Sequence, residues 1–353
     1  MKWINLLPGC LLFFFCASCI NLNTIPEVTF IKGKTMGTTY RVKIVPKLSP
    51  AGEEKIKNEI VTTLDIVNKS MSTFRKDSEI VRFNDMREGT LKLSPQMYGL
   101  VLKSMDISKE TSGAFDITIG PLVNLWGFGA LGERRKVPPS NLEIEKVKGK
   151  VGFRLASIDY AMESVAKKNP ELSFDMAAVA KGYGVDMIST MLAEKNHTNH
   201  MVEVGGEIMV SGNRWPKEGR KWKIGIEVPH LDKRKPGRIL ALSDISMATS
   251  GDYRNFFEYE GKRYSHTIDP VTGRPVTHNL TSVTVLAREC ADADAYATAI
   301  LVMGPQRGLE FANNKKLKVI LYIRKDDGFK ELLSKQMILF LKKMRAGEKQ
   351  GEK

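Results

Sequence analysis

An α+β fold is the architecture this sequence predicts. Stretches with helical apolar spacing and stretches with strand-like alternation are mixed along the chain, without the regular β-α-β beat of a doubly wound sheet. At 353 residues, 42% hydrophobic and 27% charged, the chain is long enough to bury one large core or two modest ones. Two short β-like runs, Asn255 to Tyr259 and Lys262 to Thr267, flank Glu260-Gly261 and are followed at once by Asp269-Pro270 and Thr272-Gly273. Such dense turn chemistry marks an antiparallel hairpin leading into a fixed loop.

The N-terminus reads as an address. Lys2 precedes an apolar run, Leu11 to Phe15, far shorter than the roughly 18 residues a spanning helix needs, so residues 1–18 are expected to be a signal peptide. Cys16-Ala17-Ser18-Cys19 resembles the bacterial lipoprotein box, with Cys16 where an aliphatic residue is usual. Cys19 would then be the lipidated first residue, placing the protein in the bacterial cell envelope, membrane-anchored and facing the periplasm. Residues 19–30 would be a tether and 31–340 the folded domain, with a basic tail at 341–353.

Within the domain, Thr38 to Val45 alternates as a strand, and Gly52 to Ser70 carries helical spacing at Ile56, Ile60, Leu64 and Val67. A second helix over 95–111 opens on Ser94-Pro95, an N-cap and first-turn pair. Residues 113–129 are glycine-punctuated, and 132–150, charged and proline-containing, reads as a surface excursion. Strands are expected near 151–159, 162–166 and 171–174, then a helix over 179–195. Further strands are expected at 200–210, 222–228 and 239–246, then the hairpin and a strand at 280–287. Helices at 291–303 and 305–314, a strand at 317–324 and a terminal helix complete the order. No internal repeat is present.

Charge and cysteine usage narrow the classes. The formal charge is +14, and residues 315–353 hold 12 Lys or Arg against 5 Asp or Glu, half of that excess. No zinc-finger spacing, helix-turn-helix cue or aromatic-basic strand pattern accompanies it, which argues for a solvated basic surface and against nucleic-acid binding. Of four cysteines, at 10, 16, 19 and 290, only Cys290 lies in the domain. Neither an intramolecular disulfide nor a Cys-based metal site is therefore available, and Cys290 reads as a buried thiol.

Several runs carry chemistry. Gly127-Phe128-Gly129-Ala130-Leu131-Gly132 matches G-x-G-x-x-G, but Glu133-Arg134-Arg135-Lys136 and Pro138-Pro139 follow, which cannot open the helix a dinucleotide site needs. Asp116, set among apolar residues after Gly113-Ala114-Phe115, needs a partner, either a backbone donor or a ligand. Asp175 to Gly184 is a small-residue helix entry containing Ala178 and Lys181; it suits either phosphate approach to a helix start or close packing. Asp294 and Thr298, at i and i+4, share one helix face, and a carboxylate beside a hydroxyl suits a hard ion such as Mg²⁺. His266 ends the hairpin, either as a positioned proton-transfer group or as a cap on a backbone group.

Taken together, these runs resemble the ApbE-type flavin transferases. The matching stretches are Met36 to Tyr40, Met71 to Phe74 with Asp77-Ser78, Gly113 to Gly129, Asp175 to Asp186, Val204 to Glu207, Thr249 to Pro275 and Ser282 to Gly304. The resemblance implies T-fold-like mixed sheets with packed helices, in two lobes with the flavin site between them. It implies FAD as flavin donor, Mg²⁺, transfer of FMN to an acceptor threonine and release of AMP. It places flavin contacts at Met36, Phe74, Ala114, Phe115, Asp116, Asp175, Lys181 and Ile268. Metal positions fall on the carbonyl of Ala178 and the side chains of Asp294 and Thr298, and the base falls on His266. Phe74 stands where Tyr is common, and Met-Ala-Ala follows Asp175 in place of Leu-Gly-Gly or Leu-Ser. The implied partner is an acceptor protein, such as a subunit of a membrane redox complex. Two neighbouring functions share these residues: Mg-dependent FAD hydrolysis to FMN and AMP, and flavin binding without catalysis.

Overall fold

A computed structural model describes residues 26–351, apart from 133–134, 230–234 and 253–254. The signal segment and Cys19 lie outside the described residues. In chain order the elements are β1 (Thr29–Thr35), β2 (Thr38–Val45), α1 (Pro50–Met71), α2 (Glu79–Asp85), β3 (Thr90–Lys92) and α3 (Pro95–Glu110). Then come α4 (Gly120–Leu125), α5 (Asn141–Lys148), β4 (Ala156–Asp159), β5 (Ser164–Lys167), α6 (Ala180–Glu194), β6 (Asn199–Val204) and β7 (Glu207–Ser211). The rest are β8 (Trp222–Val228), β9 (Lys235–Leu242), β10 (Ile245–Gly251), β11 (Phe256–Tyr259), β12 (Lys262–Ser265), β13 (Ile268–Asp269), β14 (Arg274–Pro275), β15 (Leu280–Ala287), α7 (Cys290–Met303), α8 (Pro305–Asn314), β16 (Lys318–Lys325), β17 (Gly328–Leu333) and α9 (Lys335–Gly351).

The organising element is an eight-stranded antiparallel sheet in the order β1-β2-β6-β7-β10-β15-β16-β17. Strand alternation sends side chains to both faces. On one face Val42, Ile44, Val202 and Val204 meet Ile56, Ile60 and Leu64 of α1 and Val185, Ile188 and Leu192 of α6. Farther along the same layer, Val283, Val285 and Leu321 pack on Ala293, Ala297, Ile300 and Leu301 of α7. On the opposite face Val45, Val210, Met247, Leu286 and Ile320 pack against Trp222, Ile224 and Leu240 of the β8–β9 hairpin and Met337 and Leu341 of α9. Because the sheet is covered on both sides, β15 is buried along nearly its whole length and lacks the simple alternation of a half-exposed strand.

Local signals explain the element ends. The Ser49, Ser78, Ser94 and Ser140 hydroxyls each accept an N–H from the first turn of α1, α2, α3 and α5. Ser112 and Gly113, both with positive φ, stop α3, the Gly113 N–H reaching the Ser108 carbonyl at 2.8 Å. The Glu260-Gly261 hairpin turn has positive φ at both residues, the geometry that matches strand twist.

The α+β class holds; several boundaries shift. Thr29 and Phe30, expected in the tether, begin β1 because they pair with Ile44 and Lys43. The excursion at 132–150 contains α5, closed by a capping box between Ser140 and Glu143 and anchored by buried Ile144. The run 200–210 is two strands joined by the Gly205-Gly206 turn, and 171–174 makes only an isolated bridge, Ile119 to Ser173. The residues assigned to a basic tail from 341 continue α9, with Leu341 buried. Among the described residues no helix is long and apolar enough to cross a membrane.

Candidate functional site

A cavity of about 900 Å³ opens where the ends of α6 and α7, the β6–β7 turn, the stretch 114–119 and the hairpin base converge. Phe74, Ala114, Phe115, Asp116, Asp175, Ala178, Lys181, His266, Ile268, Asp294 and Thr298 all line it. Positions 74 to 298 of the chain thus meet in one place. Met36 is the exception. It sits in the tight β1–β2 turn with φ +48° and packs beneath the site, its methyl 3.1 Å from where a Cβ on Gly184 would lie.

The centre of the cavity is a buried charge cluster. Lys181 Nζ lies 3.4 Å from Asp294 Oδ2, 3.3 Å from Glu207 Oε1 and 3.4 Å from the Ala177 carbonyl. Asp294 is 2% exposed and Glu207 3%, so both carboxyls have left water. Burial raises the Asp294 and Glu207 pKa values, opposed in both by the Lys181 ammonium, and the Asp294 charge adds to the rise at Glu207. Two carboxylates around one ammonium hold the Lys181 pKa above its usual value, against the opposing effect of burial. Asp294 Oδ2 also accepts the Gly182 N–H at 3.1 Å, while Glu207 Oε2 is buried without a partner among the described residues. One turn along α7, the Thr298 hydroxyl lies 3.0 Å from that of Ser250 on β10. Asp294, Thr298 and the Ala178 carbonyl form an all-oxygen donor set suited to a hard divalent ion. The excess buried acid and the orphaned Glu207 oxygen fit the arrival of further positive charge.

The small-residue entry resolves toward packing. The Val179 and Ala180 N–H groups are both taken by the Met176 carbonyl, and that of Gly182 by Asp294, so the helix start is spent on protein partners. Gly182 is where α6 presses backbone to backbone on α7: a Cβ there would lie 2.7 Å from the Cys290 carbonyl carbon and 2.8 Å from the Ala291 nitrogen. Cys290 itself is a fully buried thiol, as expected. Asp116 likewise finds protein donors. One oxygen accepts from the Thr118 N–H and hydroxyl, at 2.8 and 2.7 Å, and the other from the Phe153 N–H at 2.7 Å. Its carboxylate therefore shapes the wall that Ala114 and Phe115 present.

His266 stands just after β12. Its Nδ1 is 3.0 Å from the Asn255 carbonyl, which also accepts the His266 main-chain N–H. A carbonyl only accepts, so Nδ1 carries the proton and Nε2 keeps a free lone pair. Burial lowers the imidazole pKa, with the Lys181 and Arg263 charges adding to the effect. The ring meets Phe128 edge-on at 6.3 Å. Phe257 and Tyr264 stack at 5.1 Å, Tyr264 stacks on Trp126 at 5.7 Å, and Trp126 Nε1 donates to the Gly273 carbonyl at 2.8 Å. This aromatic cluster clamps the hairpin to the end of α4. The G-x-G-x-x-G run lies in irregular chain after α4, where Gly129 and Gly132 pack against Asn124, and it forms no helix start.

Residues 36–321 match the model of the ApbE family. The chain belongs to the ApbE family. An FAD:protein FMN transferase of Vibrio cholerae serotype O1 is 41% identical over 318 residues, covering 90% of this chain and 94% of that one. The protein of that name from Escherichia coli K12 is 37% identical, covering 89% and 90%. A solved structure, the flavin transferase ApbE from Vibrio cholerae, superposes with a TM-score of 0.80 at 39% identity, covering 88% of this chain and 98% of that one. The Thermotoga maritima ApbE protein superposes with a TM-score of 0.79 at 27% identity, covering 89% and 99%. The mixed helices and antiparallel sheets are thus the ApbE fold.

Three contributors to this ApbE site had no role assigned from sequence: Glu207, Ser250 and the Asn255 carbonyl. Glu207 had a usable signal. Gly205-Gly206 marks a turn, and reading one strand through it hides that Glu207 begins β7 and points back toward α6. The Asn255 carbonyl carries no side-chain signature at all.

Proposed function

We propose that this ApbE-family chain transfers the FMN moiety of FAD to a threonine hydroxyl of an acceptor protein, with Mg²⁺ required and AMP released. The observation that carries this reading is the meeting, in one cavity, of an imidazole with a free Nε2 and the Asp294–Thr298 oxygen pair. Relatives named FAD:protein FMN transferase, similar over about nine-tenths of the chain, support it.

The residues act as follows. Phe74, Ala114, Phe115 and Ile268 offer apolar surface to the flavin ring, with Asp175 beside them. Lys181 brings positive charge toward the pyrophosphate. Asp294, Thr298 and the Ala178 carbonyl would hold Mg²⁺, which supplies neutralisation of phosphate charge when bound. His266 Nε2 takes the proton of the acceptor threonine as its oxygen attacks the FMN-side phosphorus. A P–O bond to threonine forms, the bridging P–O bond breaks, and AMP leaves with the bridging oxygen. Positioning and charge compensation do most of the work, as in other phosphoryl transfers.

The acceptor is proposed to belong to a membrane redox complex. Signal cleavage and lipidation at Cys19 are proposed to hold the enzyme at the bacterial envelope, facing the periplasm. Loss of membrane fractionation and of fatty-acid labelling in Cys19→Ser would test the anchor.

The deciding assay incubates the protein with FAD, Mg²⁺ and a candidate acceptor, followed by intact-mass spectrometry of the acceptor and AMP quantitation. A mass gain of one FMN on threonine, matched mole for mole by AMP, is the expected result. AMP released at the same rate without any acceptor would replace transfer by hydrolysis. Bound but uncleaved FAD would replace both by flavin storage.

A further inference from the structure

The Lys181 ammonium occupies a cradle of three oxygens, from Glu207, Asp294 and the Ala177 carbonyl, at 3.3, 3.4 and 3.4 Å. One of those oxygens belongs to the residue proposed to ligate the metal. Asp294 Oδ2 already serves the ammonium and the Gly182 N–H, which leaves Oδ1 of the same carboxylate for a divalent ion. A cation arriving at Asp294 must compete with Lys181, because two positive charges a few ångströms apart in a dry site repel strongly.

Glu207 offers the way out. Its carboxyl is buried, its Oε1 already touches Lys181, and its Oε2 has no partner among the described residues. The β6–β7 turn fixes it there: Gly205 and Gly206 both have positive φ, and Glu207 pairs with Val204 across the turn. Gly205 leaves this pair its room, since a Cβ there would lie 3.2 Å from Lys181 Cδ and 3.5 Å from Glu207 Oε2.

We propose that Glu207 is a positioning residue for metal binding: it retains the Lys181 ammonium when Asp294 is taken over by the divalent ion, so that one carboxylate is freed for the metal while the lysine stays poised at the phosphates. Lys181 and the metal are thereby competitors for Asp294, with Glu207 setting the outcome. This rests on the metal assignment made above, and its test does not require flavin transfer.

The test is calorimetric titration of Mg²⁺ into the full chain without FAD, for wild type, Lys181→Met, Glu207→Gln and the double variant. With the competing ammonium removed, Lys181→Met should bind Mg²⁺ at least about tenfold more tightly. Glu207→Gln leaves the lysine only Asp294 as a charged partner and should bind at least about tenfold more weakly. The double variant should match Lys181→Met within a few-fold, since no lysine remains to be held. Circular dichroism melts on all four proteins separate loss of fold from loss of metal binding. A double variant as weak as Glu207→Gln would overturn the proposal and make Glu207 a direct ligand. Equal affinity across all four would also overturn it. Absence of Mg²⁺ binding in wild type would remove the metal assignment itself, whereas flavin transfer by wild type with these affinities unchanged would leave the function standing and this role refuted.

Discussion

Replacing His266 by alanine is the sharpest perturbation of the proposed chemistry. The imidazole is fixed by the Asn255 carbonyl at 3.0 Å and by the edge of Phe128, so its Nε2 is held in one direction. General-base catalysis contributes about 10²–10⁴-fold, equivalent to about 3–5 kcal/mol of barrier. His266→Ala should therefore slow flavinylation at least about a hundredfold and leave FAD affinity within about threefold of wild type, because the Asn255 carbonyl keeps the main-chain N–H of residue 266 when the ring is gone. The pH profile adds a second constraint. Burial lowers the His266 pKa below its ordinary 6.5, and only the neutral ring accepts a proton. The wild-type rate should accordingly rise with pH through a midpoint below 6.5 and be flat near neutrality. The assay is covalent flavin fluorescence on the acceptor after denaturing electrophoresis, sampled over time at each pH, with FAD binding followed by fluorescence quenching. A His266→Ala rate within tenfold of wild type, or an acidic midpoint at or above 6.5, would refute the base assignment.

Three other substitutions probe separate links in the structure. Phe74 is 77% exposed at the cavity mouth, so Phe74→Ala should weaken FAD binding about five- to tenfold through lost stacking while leaving the melting temperature unchanged; a drop in stability would contradict its rim position. Gly182→Ala places a methyl against the backbone of Cys290 and Ala291 and should cost about 1–3 kcal/mol or more, read from urea unfolding; an unchanged midpoint would mean that α6 and α7 separate easily. Asp186 accepts the Cys290 and Ala291 N–H groups at 2.7 and 2.9 Å at the start of α7, so Asp186→Ala should destabilise by about 1–3 kcal/mol and broaden exchange of those two amides.

Much of the fold and of the site is legible without coordinates, for identifiable reasons. The serine N-caps with following proline, the glycine stops and the Glu260-Gly261 turn act through neighbours in the chain, so local chemistry alone specifies α1, α3 and the hairpin. The i, i+4 spacing of Asp294 and Thr298 places both on one helix face whatever surrounds the helix. Elements that depend on distant partners leave weaker local signals. β1 exists because β2 lies beside it, and α5 hides in a charged stretch because only Ile144, with Val147 packed beside it, anchors it among buried neighbours.

The residues alone thus establish a mixed α and β domain, the kinds of group available for phosphoryl chemistry and the family resemblance. Distance, environment and protonation are settled only when the chain closes on itself. The Asp116 and Asp175–Gly184 alternatives end in protein partners because the Phe153 N–H, far along the chain, donates to Asp116 and the Gly182 N–H donates to Asp294 on the helix packed against it. Glu207, more than 80 residues from Asp294 in sequence, shares its lysine only because β7 and α7 pack across α6. His266 becomes a directed base because a main-chain carbonyl eleven residues away selects its tautomer, and a backbone oxygen leaves no trace in a residue code.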